Sequence, residues 1–447
     1  MRTTRPKQSR PSLILVVAVA CGALSPIGCE MSTPPPAVAK GGSSGVADPT
    51  LLPVASGQAP NFAAYSALNV ASQPAGFSYN DPVTGVRIWK VSSSTVPLVN
   101  GTGVGHDYSD GGNEVSLGWG TNNNTHTIMM LPNGISGNNY IVDFTRGVGF
   151  SNYRLLTVQP LRDLCFSFSN LASQPRIAYI LTGSQLVRYN TATLQVENTG
   201  NFPLAISAFG WLHHDKNDVW FTGLLADNVT VWAWNSQTNQ YLTHYESWTN
   251  EGRLERDGRY IALNGGNNGT SVRLWDLSTN TLGPTQTDPT YWFAHVGNLR
   301  GGLWITEDAN ITNPLAEDVY SVGGGQIVKT QLSYTSGSGL LAHHSGNWVQ
   351  SDADLGGNLA KQWYYTSGYY TTGSGWLWLN AVGLGRADGS DRRLLCHHYD
   401  VSLFTTQYYA TPWGKPSPDG KVVIFDSDMN GSGRYDLFVA EVPLKAP

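Results

Sequence analysis

Short runs that alternate apolar and polar residues recur along this chain, each ending in a small polar turn. The phrase reads VRIWKVSSST from Val86, LVRYNTATL from Leu186, VWAWNSQTN from Val231 and VRLWDLSTN from Val272. Looser copies are WLWLNAVGLGRADGS from Trp376 and YDLFVAEVP from Tyr435. Period-two alternation around a bulky aromatic predicts a half-buried strand, and Asn, Ser, Thr and Gly supply the turn after it. After position 80 no stretch carries a convincing 3.6-residue period. Strand units repeating every 40–50 residues or so are the sequence form of a β-propeller. The expectation is an all-β chain with seven blades, near 98–150, 151–204, 205–248, 249–293, 294–335, 336–402 and 403–445. The long 336–402 unit leaves an eighth blade open, through its TSGYYTTGSG segment. Residues 86–91 precede the first unit and are expected to complete the last blade, closing the ring without a free sheet edge.

Composition agrees with this pattern. Charged residues make up only 13%, against 50 Gly and 15 Trp, which favours short strands and tight turns over exposed helices. The first residues do not belong to the fold. Arg2, Arg5, Lys7 and Arg10 precede an apolar stretch at 12–24 that is too short to span a membrane comfortably. Pro26-Ile27-Gly28-Cys29 then follows the pattern of a bacterial lipobox, with Pro26 where Leu is usual; Cys21 after Ala18-Val19-Ala20 is a rival. The expected organisation is a signal peptide at 1–28, lipidation at Cys29, a Pro/Gly/Ser-rich tether at 29–75 and a propeller at 76–447. The protein is thus expected to be exported, as a membrane-anchored lipoprotein of a bacterial envelope or otherwise as a periplasmic or secreted monomer.

Removing residues 1–28 takes away four positive charges and no negative one, leaving 23 Lys and Arg against 32 Asp and Glu, a net of −9. A nucleic-acid-binding surface is excluded, and any polyanion would need a local cationic pocket. Cys165 and Cys396, the cysteines left besides Cys29, form no disulfide framework; a buried, inert thiol is the plain reading of each. No Gly-rich phosphate loop, Gly-x-Ser-x-Gly elbow or HExxH motif is present.

Most histidines fall near the expected start of an inner strand. His106 opens HDYSDGG, His213 and His214 sit in WLHHDKND, and His295 opens HVGNLRGG. His343 and His344 sit in LAHHSGNW, while His397 and His398 follow Cys396; His126 and His244 lie elsewhere. Such recurrence would gather imidazoles around one mouth of the channel, as ligands or proton-transfer groups. The competing reading is that each merely satisfies backbone groups in a crowded channel.

The segment HDYSDGGNEVSLGWGTNNNTHTIMML from His106, and the closing stretch from Arg386 to Val442, resemble the propeller polysaccharide lyases. The groups concerned are the ulvan lyases and, more distantly, the oligogalacturonate lyases. The resemblance implies β-elimination on an acidic polysaccharide that contains uronic acid. That reaction needs a group to neutralise the carboxylate, a base for the C5 proton and an acid for the leaving oxygen. It implies His106 and His126, which match a His pair of similar ulvan lyases in spacing, as catalytic residues. A Tyr and an Arg from following blades are also implied, but no motif carries them over. Arg188 and Tyr189 are candidates in an outer-strand phrase; Tyr245 and Arg253 lie nearer an inner strand. His214, His295 and Arg256 are candidates for substrate binding.

The oligogalacturonate lyases gather late histidines around a divalent ion, but their late Gln-and-His pattern is absent from QYYATPWGKPSPDG. Structural zinc is the metal that Cys396, His398 and His344 suit by donor type, as similar ulvan lyases imply. Asp426, Asp428 and Asn430, with Asp436, match part of a calcium loop, although Leu437 stands where its Glu should be. A polar hairpin turn is the plainer reading there. Asn123-Asn124-Thr125, a glycosylation pattern, reads as a turn. Two further functions remain open: a non-catalytic glycan-binding or interaction scaffold, and a hydrolase using carboxylates such as Asp215, Glu255 and Asp257. Radioactive palmitate should label the wild-type protein in cells and fail to label Cys29→Ala; label that survives this change overturns the lipid-anchor expectation.

Overall fold

A computed structural model describes residues 45–97, 108–110, 116–132, 138–161, 165–183, 185–199, 208–265, 271–287, 296–307, 317–331, 357–368, 377–401, 412 and 414–445. Seven antiparallel sheets are arranged in a ring, a seven-bladed β-propeller. Blade 1 runs Tyr108–Asp110, Thr125–Pro132, Tyr140–Thr145 and Gly149–Leu155 from the axis outward, and blades 2 to 5 repeat this meander. Blade 3 is Ala208–His214, Trp220–Leu225, Thr230–Asn235 and Tyr241–Tyr245, and blade 4 opens with Thr249–Leu254 and Tyr260–Gly265. Blade 6 contributes three described strands, Trp363–Ser367, Ala381–Arg386 and Arg392–His397. The described part of the 336–402 unit belongs to one blade, and the ring has seven blades rather than the eight that the sequence left open.

Closure follows the expected device. Blade 7 comprises Gly414–Pro416, Val422–Ser427 and Asp436–Glu441, onto which Arg87–Lys90 and then Ser78–Asn80 are added from the other end of the chain. Ile88, Trp89 and Lys90 pair with Ala440, Val439 and Phe438.

The middle strands are apolar on both faces because each blade is covered twice. In blade 1, Ile128 and Met130 pack toward blade 7 with Val422, Ile424 and Val439, while Met129 packs toward blade 2 with Phe166 and Phe168. The same division places Trp232 between blades 2 and 3, Trp275 between 3 and 4, and Trp304 between 4 and 5. At about 1.5–3 kcal/mol per buried large apolar side chain, each seam gains far more from packing than from any one hydrogen bond, worth about 1 kcal/mol. Packing holds the blades together, and polar contacts set how they align.

Those polar contacts form a belt. Trp119 Nε1 donates to Asn170 O, Asn170 Nδ2 to Asp215 O, the Lys216 amide to Arg256 O, and the Arg256 amide to Leu299 O, at 2.6, 3.0, 2.8 and 2.8 Å. The Arg300 amide and carbonyl both bond Gln362, at 2.8 and 3.0 Å; Ser367 Oγ donates to Pro412 O, and the Gly120 amide to Asp419. The chain of contacts runs through all seven blades. Most of its links lie in the turns between the first and second strands.

The N-terminal stretch departs from expectation. Of the 29–75 tether, the described residues 45–75 are packed on blades 6 and 7 and belong with the ring rather than to a free tether. Val46 and Ala47 pair with Lys445 and Leu444, and Val54 bridges Arg393 at the rim of blade 6. The short helix Phe62–Ala67 lays Tyr65 flat on Tyr399, with ring centroids 3.9 Å apart. Pattern reading missed this because the stretch is rich in Pro and small residues, and its anchors are single side chains. Lys90 fastens it: its fully buried ammonium donates to the carbonyls of Val70, Ala71 and Gln73 and pairs with Asp436 at 3.1 Å. Replacing Lys90 by Ala leaves Asp436 and three carbonyls short of a buried donor, and should cost about 3–5 kcal/mol. The midpoint of guanidinium denaturation checks this; an unchanged midpoint contradicts it.

Candidate functional site

The polar groups nearest the axis come from the first strands and the turns that follow them. In blade 3 the first strand carries a bulge between Gly210 and His213, and Trp211 there adopts a left-handed φ of 59°. A bulge re-aims side chains, and a non-Gly residue in this region costs about 1–3 kcal/mol. The result places the indole of Trp211 under the Arg253 guanidinium, 5.2 Å from the ring centroid. Arg253 is itself buried and pairs at 2.8 Å with buried Glu251, two positions earlier on the same strand face. Asn264 Nδ2 donates to the same carboxylate at 2.9 Å. The guanidinium is therefore held by an indole and a carboxylate together.

A second network spans blades 2 to 4. His214 accepts from or donates to Ser167 Oγ through Nε2 at 2.8 Å, and bonds Asp218 Oδ1 through Nδ1 at 2.8 Å. Asn170 Nδ2 lies 2.9 Å from the same Nδ1, and Arg256 donates to Asn170 Oδ1. Burial pushes the Asp218 carboxyl up, but the His214 imidazole and the donors Ser169 Oγ and Asn170 N–H bring it below the ordinary carboxylate range. Burial, with the nearby Asp218 charge, raises the Tyr179 phenol, whose hydroxyl donates to Asp218 at 3.2 Å. Ser167, His214 and Asp218 are connected as in a nucleophilic triad, yet Ser167 and His214 are each 1% exposed. No substrate carbonyl can reach Ser167 there, and the arrangement works as a staple between blades.

A third pairing closes the ring. His126 Nε2 lies 3.0 Å from both carboxylate oxygens of Asp419, joining blade 1 to blade 7. Gly120 makes room for it, since a Cβ would stand 2.6 Å from Asp419 Oδ2 and 2.9 Å from His126 Nε2. Burial raises the Asp419 carboxyl, but the His126 charge and hydrogen bonds from His126, Ser417 and the Lys421 amide outweigh it and hold the group well below its ordinary value.

Among the described residues, the expected catalytic side chains do not converge. His126 is fully buried at the blade 7–1 seam. Tyr189 is buried on the third strand of blade 2 and bonds Thr157 Oγ1; Arg188 beside it pairs with Glu197. Tyr245 lies on the outermost strand of blade 3 and is 61% exposed. Arg253, Arg256 and His214 do lie on or just after first strands, in blades 4, 4 and 3. His213 and His214, however, end their strand rather than open it, because Ala208–His214 begins earlier in the sequence than the repeat suggested. His106, His295 and His344 lie outside the described residues.

The metal sites are corrected by their neighbours. His398 bonds Gly368 O through Nε2 and the Asp400 amide through Nδ1, and burial drives it down to about 3, so the ring is neutral with both nitrogens engaged. The Cys396 thiol is raised well above its ordinary value by burial, next to the Asp81 charge. Among the described residues no group of three His, Cys, Asp or Glu side chains is placed to hold a metal ion. In the calcium-like loop, Asp436 is taken by Lys90, Arg434 and Ser92, and Asp428 accepts the amides of Val401 and Gly431. That segment is a turn between the second and third strands of blade 7. The hydrolase carboxylates are also occupied. Glu255 accepts the amides of Asp257, Arg259, Tyr260 and Gly302; Asp215 accepts those of Val219 and Trp220; Asp257 pairs with Lys216 and Arg300. Cys165 and Cys396 are buried in separate cores and are not joined in a disulfide.

Sequence reasoning passed over Asp419, Asp218 and Glu251. A signal was present: an acidic residue recurs just before the second strand, in HDKND, ERDGR and SPDGK. Its meaning is turn capping and stapling between blades.

No protein-family model matches the chain, and no curated protein matches it in sequence. Among solved structures, an oligogalacturonate lyase in complex with manganese superposes with a TM-score of 0.55 at 11% identity, over 83% of this chain and 97% of that one. The oligogalacturonate lyase of Vibrio parahaemolyticus gives 0.53 at 11% identity, with the same coverage. These likenesses show the fold, a propeller of the kind that oligogalacturonate lyases build.

Since Asp419 has a depressed carboxyl when folded, its stabilising contribution is present above the unfolded value of about 4 and is lost as pH falls through the folded one. Wild type should be more stable than Asp419→Asn at pH 7, and the gap should shrink steadily on acidification below about pH 4. A gap independent of pH in urea denaturation would contradict the pairing.

Proposed function

We propose that this chain is an exported propeller lyase that cleaves an acidic, uronic-acid-containing polysaccharide by β-elimination, held to a membrane through Cys29. The observation that carries the reading is the superposition on oligogalacturonate lyase over 97% of that enzyme. In sequence, His106 stands two positions before the first strand of blade 1, and His295 immediately before that of blade 5. Proton transfer is therefore assigned to the end of the ring where the blades are joined, opposite the belt of turns. His106 or His295 takes the C5 proton, and the conjugate acid of a second group protonates the leaving oxygen. Arg253 is as buried as Ser167 and is paired with buried Glu251, so it is reassigned to holding the first strand of blade 4, and no described residue is assigned as the cation for the uronate carboxylate. His126 is reassigned to ring closure. The manganese of the neighbouring lyase raises the question of a metal here, but the described residues do not fit one, and no step is routed through it.

The dispersal of the other candidates among separate blades favours a second reading, a glycan-binding scaffold without catalysis. The two separate in one assay. With the lyase reading, incubation with ulvan, pectin, alginate or a glycosaminoglycan gives rising absorbance at about 235 nm on at least one of them, and His106→Ala lowers the rate by roughly 10²–10⁴-fold. Glycan binding with no absorbance change on any of the panel would leave the scaffold.

A further inference from the structure

Ten large apolar side chains are notably exposed among the described residues, and three of them, Val46, Leu51 and Val54 at 58, 56 and 57%, fall within nine positions. Scattered apolar residues on a surface need no explanation, whereas a local group does. These three lie on the strap that runs along the rim of blades 6 and 7. Their backbone is fixed: Val46 pairs with Lys445, the Asp48 amide donates to Pro443 O, and the amides of Leu394 and Ala55 exchange bonds with Pro53 and Arg392. Arg393 Nη1 holds the carbonyls of Thr50 and Leu52. The apolar side chains are thus presented outward by a strap pinned from beneath. The exposed Lys445 stands directly across from Val46, and the Asp48 carboxylate is turned to Thr50.

We infer that this rim rests on a lipid bilayer, with Val46, Leu51 and Val54 entering the headgroup boundary and Lys445 facing anionic headgroups. The inference depends on the proposed lipid at Cys29. Gly45 follows Cys29 by 16 positions, and a chain of that length spans at most about 55 Å. Such a short link holds the rim at high effective concentration near the membrane, so that a weak apolar contact becomes occupied. The contact would present the propeller edge-on, with blades 6 and 7 toward the bilayer and the faces of the ring turned to the side.

The test separates this contact from the anchor. The chain from residue 29 onward, carrying Cys29→Ala and hence no lipid, is mixed with vesicles of phosphatidylethanolamine and phosphatidylglycerol at millimolar lipid, which replaces the effective concentration the short link would supply, and sedimented. It should partition measurably, and the triple change Val46→Ser, Leu51→Ser, Val54→Ser should weaken partitioning about tenfold. Val148→Ser, at an equally apolar site 76% exposed on blade 1, should leave it unchanged. Circular dichroism of each variant should match the parent. No partitioning of the parent, equal partitioning of the triple variant, or an equal loss with Val148→Ser overturns the inference. So does a lipid-free dimer that the triple change dissolves, since a second copy would then cover the rim. Failure of palmitate labelling at Cys29, by contrast, removes the anchor and leaves this measurement standing on its own.

Discussion

The structure depends on the contact between neighbouring blades at the turns that end their first strands. There the chain must place polar groups of one blade opposite those of the next, at most of the junctions around a circle. Trp119 to Asn170 and Asn170 to Asp215, made by side-chain N–H groups, and Lys216 to Arg256 and Arg256 to Leu299, made by backbone amides, are successive links onto backbone carbonyls. The apolar seams supply most of the stabilisation, but apolar contacts are non-directional and would tolerate a slip. Hydrogen bonds between turns define the angle at which each sheet meets its neighbour.

A ring adds a demand that a stack of sheets does not have, because the last blade must meet the first. Three charge contacts gather at or beside that joint, two of them buried. His126 meets Asp419 across it, Arg146 reaches Glu441, and Lys90 joins the added strand to Asp436. Buried ion pairs are a doubtful source of stability but a good source of specificity, since a misplaced partner leaves a charge uncompensated. The concentration of such pairs where the two chain ends meet is consistent with that role.

This architecture explains why several side chains of catalytic type are engaged in structural work. Ser167, His214 and Asp218 have the connectivity of a triad and no access. Glu255 and Asp215 have the composition of a glycosidase pair and spend their oxygens on turn amides. His398 has the donor chemistry for zinc and gives both nitrogens to backbone groups. Propellers place polar groups densely near the axis, and most of these are needed to satisfy the backbone.

Blade number, closure by 86–91 and the all-β class were legible in the sequence, because alternation and turn chemistry are local and repeat. The fate of individual polar residues was not. Whether His126 faces the channel or a seam depends on which end of its strand it occupies and on Asp419, 293 positions away. Whether 45–75 hangs free or packs depends on Lys90 and Tyr399, which no local pattern connects to it. Strand periodicity is a property of neighbours in the chain, whereas burial, charge pairing and access are properties of neighbours in space, and only the closed ring decides those.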